Sequence, residues 1–273
     1  MKDVAFGQYL PHKSFVHNMD ARIKILVTIA YIVAVFLVRS FHFLGFLACF
    51  TFVVIACICA KVSIFKVLKS IKGILFFIIL SAILQLFFNT DGKVVLEWKF
   101  ITITQNGLLN AGFITARISL VVVGASLLTF TTSPVELADG IESLLTPLKW
   151  IKFPVHEFAL IMSIALRFIP TLIDEADRII KAQKARGADF DTGNIFKRAK
   201  ALIPILIPLL ISSFRRADEL ADAMDARCYS GSKNRTKYKK MRLTWRDLLG
   251  TLLVAGLIVG VVFLNKFYWL LVI

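Results

Sequence analysis

The chain contains the stretch EADRIIKAQKARG at residues 175–187 and repeats its pattern 41 positions later as RADELADAMDARC at residues 216–228. An Ala-Asp pair and an Ala-Arg pair stand at the same places in both copies. Both copies consist mainly of good helix formers, and a glycine follows each arginine, directly in the first copy and four residues later in the second. The pattern predicts two helices that carry Arg186 and Arg227 in their last turns.

A single arginine at a helix end does not by itself indicate a function. A cation there interacts favourably with the helix dipole, which contributes about 0.3 to 1 kcal/mol. Two arginines in matched contexts favour another interpretation, a duplicated docking element that presents one arginine to each of two similar binding sites.

Composition predicts the class of protein. Hydrophobic residues make up 58% of the 273 residues, and 24 residues are phenylalanine, whereas soluble domains are typically about 45 to 50% apolar. We therefore expect an all-α integral membrane protein with about five transmembrane helices and a cytoplasmic module of long amphipathic helices.

The distribution of charge argues against a nucleic-acid-binding protein. The net charge is +15, but residues 133–246 hold 20 of the 33 Lys and Arg residues and 13 of the 18 Asp and Glu residues. This segment is a mixed-charge module, not a basic tail. The excess positive charge is better assigned to cytoplasmic flanks of membrane helices and to anionic lipid headgroups.

Five apolar segments are predicted to cross the membrane: Ile25 to Val38, Phe43 to Ala60, Gly73 to Phe88, about Leu108 to Thr131, and Asp247 to Leu264. Snorkelling of Lys24 and Arg39 can lengthen the first, which is short. The 61–72 loop has four lysines and no acid, which predicts a cytoplasmic location. The neutral 89–104 loop is expected outside, where residues 93–96 and 100–104 could pair as a hairpin. With a cytoplasmic N-terminus, five crossings place the C-terminus outside.

Three parts are expected along the chain. Residues 1–132 form an N-terminal arm and four membrane helices, residues 133–246 form the cytoplasmic module, and residues 247–273 form the last membrane helix. Ser133 and Pro134 are typical of a helix start, and the helix beginning there should end near Leu145. Two long helices should follow, at 155–186 and about 194–227, each on the order of 50 Å long. Gly256 and Gly260 in the last segment have the spacing that lets another helix pack closely.

Residues for catalysis or metal binding are not evident. The chain has no phosphate-binding loop of an ATPase, its four histidines are scattered, and a Cys-x-Cys pair without nearby histidine favours packing over metal binding. We therefore predict no catalytic residue, no cofactor and no metal. One enzymatic alternative remains, a Mg²⁺-dependent membrane prenyltransferase. It would use two aspartate pairs, Asp174 with Asp177 and Asp218 with Asp222, although neighbouring basic residues explain these pairs as salt bridges along a helix.

Several further segments carry a family resemblance. The arm FGQYLP (6–11) is followed by Ser14, His17 and DARIKIL (20–26), and SPVELA (133–138) and ALRFIP (165–170) occur later. With the two Ala-Arg-x helix ends, these segments resemble the transmembrane T component (EcfT family) of energy-coupling factor transporters, over essentially the whole chain. In that family the T component joins two ATP-hydrolysing subunits to a small substrate-binding membrane protein, the S component, which captures a vitamin or metal ion.

The resemblance implies a role for the helix ends. Each coupling motif would be set into a groove on one ATPase, and the motifs are Ala185, Arg186, Gly187, Ala226, Arg227 and Cys228. Cys228 departs from the small residue that is more usual after the second arginine. The resemblance also implies a non-enzymatic subunit of the bacterial cytoplasmic membrane, acting in the uptake of a vitamin or micronutrient. A conventional permease with its own substrate path is the other alternative.

Overall fold

The computed structural model describes residues 9–10, 12, 14–39, 43–88, 93–98, 101–151, 154–188, 190, 194–229, 231 and 243–272. These residues form α-helices, one short 3-10 helix at Thr146–Ile151 and one two-stranded hairpin. The α-helices are α1 Ala21–Leu37, α2 Phe43–Ala60, α3 Ile64–Lys72, α4 Leu75–Phe88, α5 Gln105–Thr131, α6 Pro134–Leu145, α7 Val155–Ala185, α8 Ile195–Asp225 and α9 Trp245–Val272. The all-α fold class is thereby confirmed.

The hairpin lies in the segment where the sequence predicts one. Strands β1, Val94–Trp98, and β2, Ile101–Thr104, pair antiparallel, from Val94 opposite Thr104 to Trp98 opposite Ile101, with an irregularity after Val94.

The described residues fall into two compact units. One unit lies within Tyr9–Gly140 and Met241–Ile273, and the other within Ile141–Lys240. The division expected from the sequence has its boundaries after residues 132 and 246, and it stays a prediction. Most of α6 belongs to the first unit because Gly140 packs against α1, where an added Cβ would lie 3.2 Å from the Ala21 Cβ.

The core of the first unit is formed where α1, α2 and α5 pack together. The ring of Tyr31 on α1 stacks on Phe52 of α2 with ring centroids 5.5 Å apart, and the Tyr31 hydroxyl donates to the Leu120 carbonyl of α5 at 3.4 Å. Gly124 makes this packing possible, because any side chain there would overlap the Tyr31 ring. Tyr31 is 2% exposed, so its large side chain fixes the spacing of three helices.

The number of membrane-length helices differs from the five predicted. Among the described residues, α2, α5 and α9 are long and apolar enough to cross a membrane, and α3 with α4 would add a fourth if the pair, bent by 64°, is one broken span. The difference lies in α1, which has 17 residues, whereas a hydrocarbon core of about 30 Å needs roughly 20.

The sequence interpretation treats residues 61–72 as a loop, but the structure has the amphipathic helix α3 in most of it. The chain turns from α2 into α3 at Lys61, which has φ +55°. The helical spacing of Ile64, Val67 and Ile71 signals this helix, and the lysine-rich composition obscures it.

The predicted helices around the second unit are confirmed. α6 begins with a reciprocal capping box: Ser133 Oγ accepts from the Glu136 N–H at 3.3 Å, and a Glu136 carboxylate oxygen accepts from the Ser133 N–H at 3.4 Å. α7 and α8 have 31 residues each, so each is about 46 Å long.

Candidate functional site: the two arginine-bearing helix ends

The two copies of the repeated stretch end in the same backbone geometry. At each end the residue after the arginine donates its N–H three residues back, and the next residue donates five residues back, as in a Schellman C-cap. The four bonds run from Gly187 N to Lys184 O (3.0 Å), Ala188 N to Gln183 O (3.0 Å), Cys228 N to Asp225 O (2.9 Å) and Tyr229 N to Met224 O (3.1 Å). Every partner in the second cap stands 41 residues after its counterpart, so the sequence repeat is also a structural repeat.

Both caps place the residue after the arginine in the left-handed backbone region. Gly187 has φ +87° and Cys228 has φ +56°. Glycine adopts this conformation without steric cost, whereas another residue loses on the order of 1 to 2 kcal/mol. This requirement explains why a small residue suits the position. Cys228 keeps the geometry of the turn at an energetic cost.

The two arginine side chains make no bond to another described side chain or backbone group. Arg186 and Arg227 are exposed, as are the preceding Ala185 and Ala226. Within the part of the chain that the structure describes, neither guanidinium group has a hydrogen-bond acceptor or a carboxylate partner. The five N–H donors of each side chain are therefore not used by any described residue.

Equivalent positions of the repeat also meet each other where α7 and α8 pack together. Arg216 of α8 donates from Nη2 to Glu175 Oε2 of α7 at 3.4 Å, and the two residues occupy the same position in the two copies. The side chains are 30% and 27% exposed, so the ion pair contributes at most about 1 kcal/mol. The pair joins α7 and α8 at equivalent positions of the repeat, and so favours one register between the two helices.

A second contact ties the first repeat to α8. Pro208 has no N–H, so the carbonyl of Pro204, four residues earlier, lacks its helical donor. The side chain of Gln183 donates to this carbonyl at 3.4 Å. Because Gln183 lies one turn before Arg186, this contact connects the end of α7 to the apolar half of α8.

The four aspartates of the enzymatic alternative lie on the same two helices. Asp174 and Asp177 are on α7, and Asp218 and Asp222 are on α8. Among the described residues, no group of three or more His, Cys, Asp or Glu side chains is gathered closely enough to hold a metal ion.

A polar cluster in the first unit joins the N-terminal arm to three helices. His17 Nε2 donates to the Leu10 carbonyl at 2.9 Å, and its Nδ1 lies 2.7 Å from Ser14 Oγ. The Leu10 N–H donates to the carbonyl of Phe130 at 3.1 Å. Burial, and then the charges of Lys24 and His12, lower the pKa of His17 despite its bond to Leu10, so the neutral imidazole is favoured.

Lys24 and Asp247 complete this cluster. Lys24 is 4% exposed and donates from Nζ to the carbonyls of His17 and Thr131, both at 3.0 Å. It therefore does not snorkel to the interface as the sequence predicts, because two carbonyls satisfy its charge inside the protein. Asp247, 2% exposed, accepts from the N–H of Asp20 at 2.8 Å and from that of Thr244 at 2.7 Å. One carboxylate thus joins the starts of α1 and α9.

Gly256 and Gly260 lie on an exposed face of α9. A Cβ built at either glycine would have no described atom within 4 Å. The close contact predicted for these residues is therefore not supplied by the described residues of this chain, and a contact with another membrane subunit remains a prediction.

Sequence reasoning located the helix ends but missed what holds them. The Glu175 and Arg216 contact was hidden because the repeat shows equivalence, not proximity. Two prolines four residues apart, Pro204 and Pro208, do signal a carbonyl without a helical donor. Nothing in the sequence identifies Gln183 as its partner.

The fold and the site define a class of protein. It is an integral membrane protein with two long charged helices, α7 and α8, and an exposed arginine stands at the end of each of them. Residues 12–238 match the family described as CbiQ, cobalt transport protein. The chain is 46% identical to the energy-coupling factor transporter transmembrane protein EcfT of Clostridium kluyveri, over 98% of this chain and 99% of that protein. It is 49% identical to the EcfT protein of Ruminiclostridium cellulolyticum, over 92% and 93% of the two chains. The EcfT protein of Lactococcus lactis is 43% identical, over 97% of each chain. The chain belongs to this family, the transmembrane proteins of energy-coupling factor transporters.

Proposed function

We propose that this chain is the coupling subunit that transmits ATP-driven motion from two ATPase subunits to a small substrate-binding S component in the membrane. The observation that carries the proposal is the pair of matched caps, each of which presents an exposed and unpaired arginine. A chain that only needed to end two helices would not require the same arginine, the same cap and the same offset twice.

The chemistry of the helix ends suits a docking role. A guanidinium group donates two parallel hydrogen bonds to a carboxylate, and this geometry is directional as well as strong. A Schellman cap fixes the backbone on both sides of each arginine, so little backbone conformational entropy is lost when the side chain binds. Each end is therefore suited to an acidic groove on one ATPase.

Long helices are suited to carry the motion. α7 and α8 contact each other through the Glu175 and Arg216 pair and through Gln183. Closure of the two ATPases on ATP would displace the helix ends, and the paired helices would carry the displacement towards the bilayer. The chain itself performs no catalysis in this scheme.

The substrate is bound by the S component, so this chain does not select it. We expect a vitamin or another micronutrient. The side chains that line two grooves between the helices are mainly apolar, which supports this division of labour, although Lys24, Thr28 and Thr131 lie among those of one groove. A conventional permease would need polar groups along its own path.

Charge reversal at the two helix ends tests the proposal. In Arg186→Glu, Arg227→Glu and the double variant, an acidic groove would face a like charge, at a cost of several kcal/mol. Either single change should sharply reduce uptake, and the double change should release the ATPases during purification from membranes. Lysine should rescue poorly because it cannot donate the two bonds in fixed geometry.

The matched control is Arg178→Glu with Arg215→Glu. These arginines are exposed on the same two helices but lie away from the caps, so the ATPases should remain bound. The membrane content of every variant is measured alongside. Full recovery of the ATPases and normal uptake in the Arg186 and Arg227 double variant would contradict the proposal.

A further inference from the structure

The amphipathic helix α3 carries its lysines on one side and four of its five large apolar residues on the other. Lys66, Lys69 and Lys72 occur at intervals of three residues, and Lys61 precedes the helix. All four are exposed, and within the described residues none has an acidic partner. At 100° per residue the three helical lysines fall within an arc of about 120°.

The opposite face of α3 lines an apolar groove. The groove has a volume of about 480 Å³ and lies between α2, α3 and α5. Its lining from α3 is Ile64, Val67, Leu68 and Ile71, and among the described residues that line it Ser119 of α5 alone carries a hydroxyl group. Aliphatic and aromatic residues of α2, among them Phe46 and Phe50, line the other wall.

The groove and the lysines occur together on one short helix. An apolar groove of this size in a membrane protein attracts an apolar chain, while a row of exposed ammonium groups attracts an anion. A phospholipid with an anionic headgroup carries both chemistries in one molecule. Phe65 is 84% exposed and lies between Lys61 and Lys66 in sequence, and exposed apolar side chains of this kind are typical of amphipathic helices at the membrane interface.

We propose that α3 forms a binding site for one anionic phospholipid, with an acyl chain in the groove and the headgroup phosphate against Lys66, Lys69 and Lys72. The lysines give selectivity for the charge of the headgroup, and the groove gives affinity for the chain. The site does not depend on the proposed coupling function, since it uses neither arginine-bearing helix end.

Lipid binding to the full chain tests the headgroup. The delipidated protein is titrated with phosphatidylglycerol or with phosphatidylcholine of the same acyl chains, and bound lipid is counted by native mass spectrometry. Phosphatidylglycerol should bind selectively. The Lys66→Gln, Lys69→Gln, Lys72→Gln triple variant should weaken it about tenfold or more, whereas a matched triple variant at the exposed Lys181, Lys200 and Lys266 should not.

A photoreactive residue at position 119 tests the groove in intact membranes. It should attach to phospholipid on illumination. Attachment to a polypeptide would overturn the proposal, because a helix of a partner would then occupy the groove. Equal binding of the two lipids, or full retention of phosphatidylglycerol by the Lys66, Lys69 and Lys72 variant, would overturn it as well. A monodisperse elution profile confirms that each variant is folded.

Discussion

Lys24 shows at the scale of a residue how a buried charge can hold three chain segments together. Its ammonium group bonds to the carbonyl of His17 in the arm and to that of Thr131 at the end of α5. Carbonyls near the C-terminal end of a helix carry partial negative charge, which favours a cation there. The lysine therefore joins the arm to the bundle through two carbonyls, and the nearby carboxylates of Glu136, Asp247 and Asp20 favour its charged form.

The first prediction replaces Lys24 with methionine, which keeps the length of the side chain and removes its donors. Two buried carbonyls would each lose a partner, at about 1 to 3 kcal/mol apiece. The variant should lower the melting temperature of the purified chain by several degrees and expose the arm to protease. Lys181→Met is the control, because Lys181 is exposed and its loss should change stability by less than about 0.5 kcal/mol. A Lys24→Met protein as stable as the parent chain would contradict this role.

At the scale of the element, the two caps differ by one residue in otherwise equal geometry. Gly187→Ala should destabilise the first cap by about 1 kcal/mol, because alanine must adopt φ +87°. Cys228→Gly should stabilise the second cap by less than about 1 kcal/mol, since relief of strain exceeds the entropy lost by glycine.

Hydrogen exchange of the amides at 187–188 and 228–229 measures both effects. Exchange should become faster at the first cap in Gly187→Ala and slower at the second cap in Cys228→Gly. The same direction of change in both variants would show that backbone strain does not distinguish the caps.

The glycines of α9 give a second prediction at this scale. A Cβ added at Gly256 or Gly260 meets no described atom of a neighbouring element within 4 Å, so we expect the chain alone to stay as stable as before when leucine replaces both glycines. Its association with another membrane subunit should weaken, because added bulk separates helices that pack through small residues. Gly124→Leu is the contrasting control, as it should destabilise the chain itself by overlapping Tyr31. If the Gly256→Leu, Gly260→Leu variant still associates normally with the other membrane subunit, both glycines belong to the lipid-facing surface and the prediction is wrong.

Elements with a strong local signal could be predicted from the sequence, and those that depend on tertiary contacts could not. Helix formers and a cap residue define α6, α7 and α8 within a few positions. The segment of α3 was taken for a loop because its lysines dominate the composition, although its apolar residues have helical spacing. The burial of Lys24 could not be predicted, since its two acceptors come from other parts of the chain.

At the scale of the whole molecule, orientation in the membrane remains a prediction that charge distribution supports. The lysines of α3 and the charged unit should face the cytoplasm, and Lys93 in the hairpin segment should face outward. Single cysteines at positions 93 and 181, in a background without the four native cysteines, should react with an impermeant reagent from opposite sides. Labelling of position 93 from the cytoplasmic side would contradict this topology.

The most direct test of the account is to find what touches the two helix ends. Photoreactive residues are placed at Ala185 and Ala226, which are exposed next to the arginines, and at Lys266 of α9 as a control. On illumination of the intact complex in native membranes, positions 185 and 226 should each attach to an ATPase subunit, and position 266 should not. Attachment of neither helix end to an ATPase, in membranes where the ATPases are present, would contradict the coupling role.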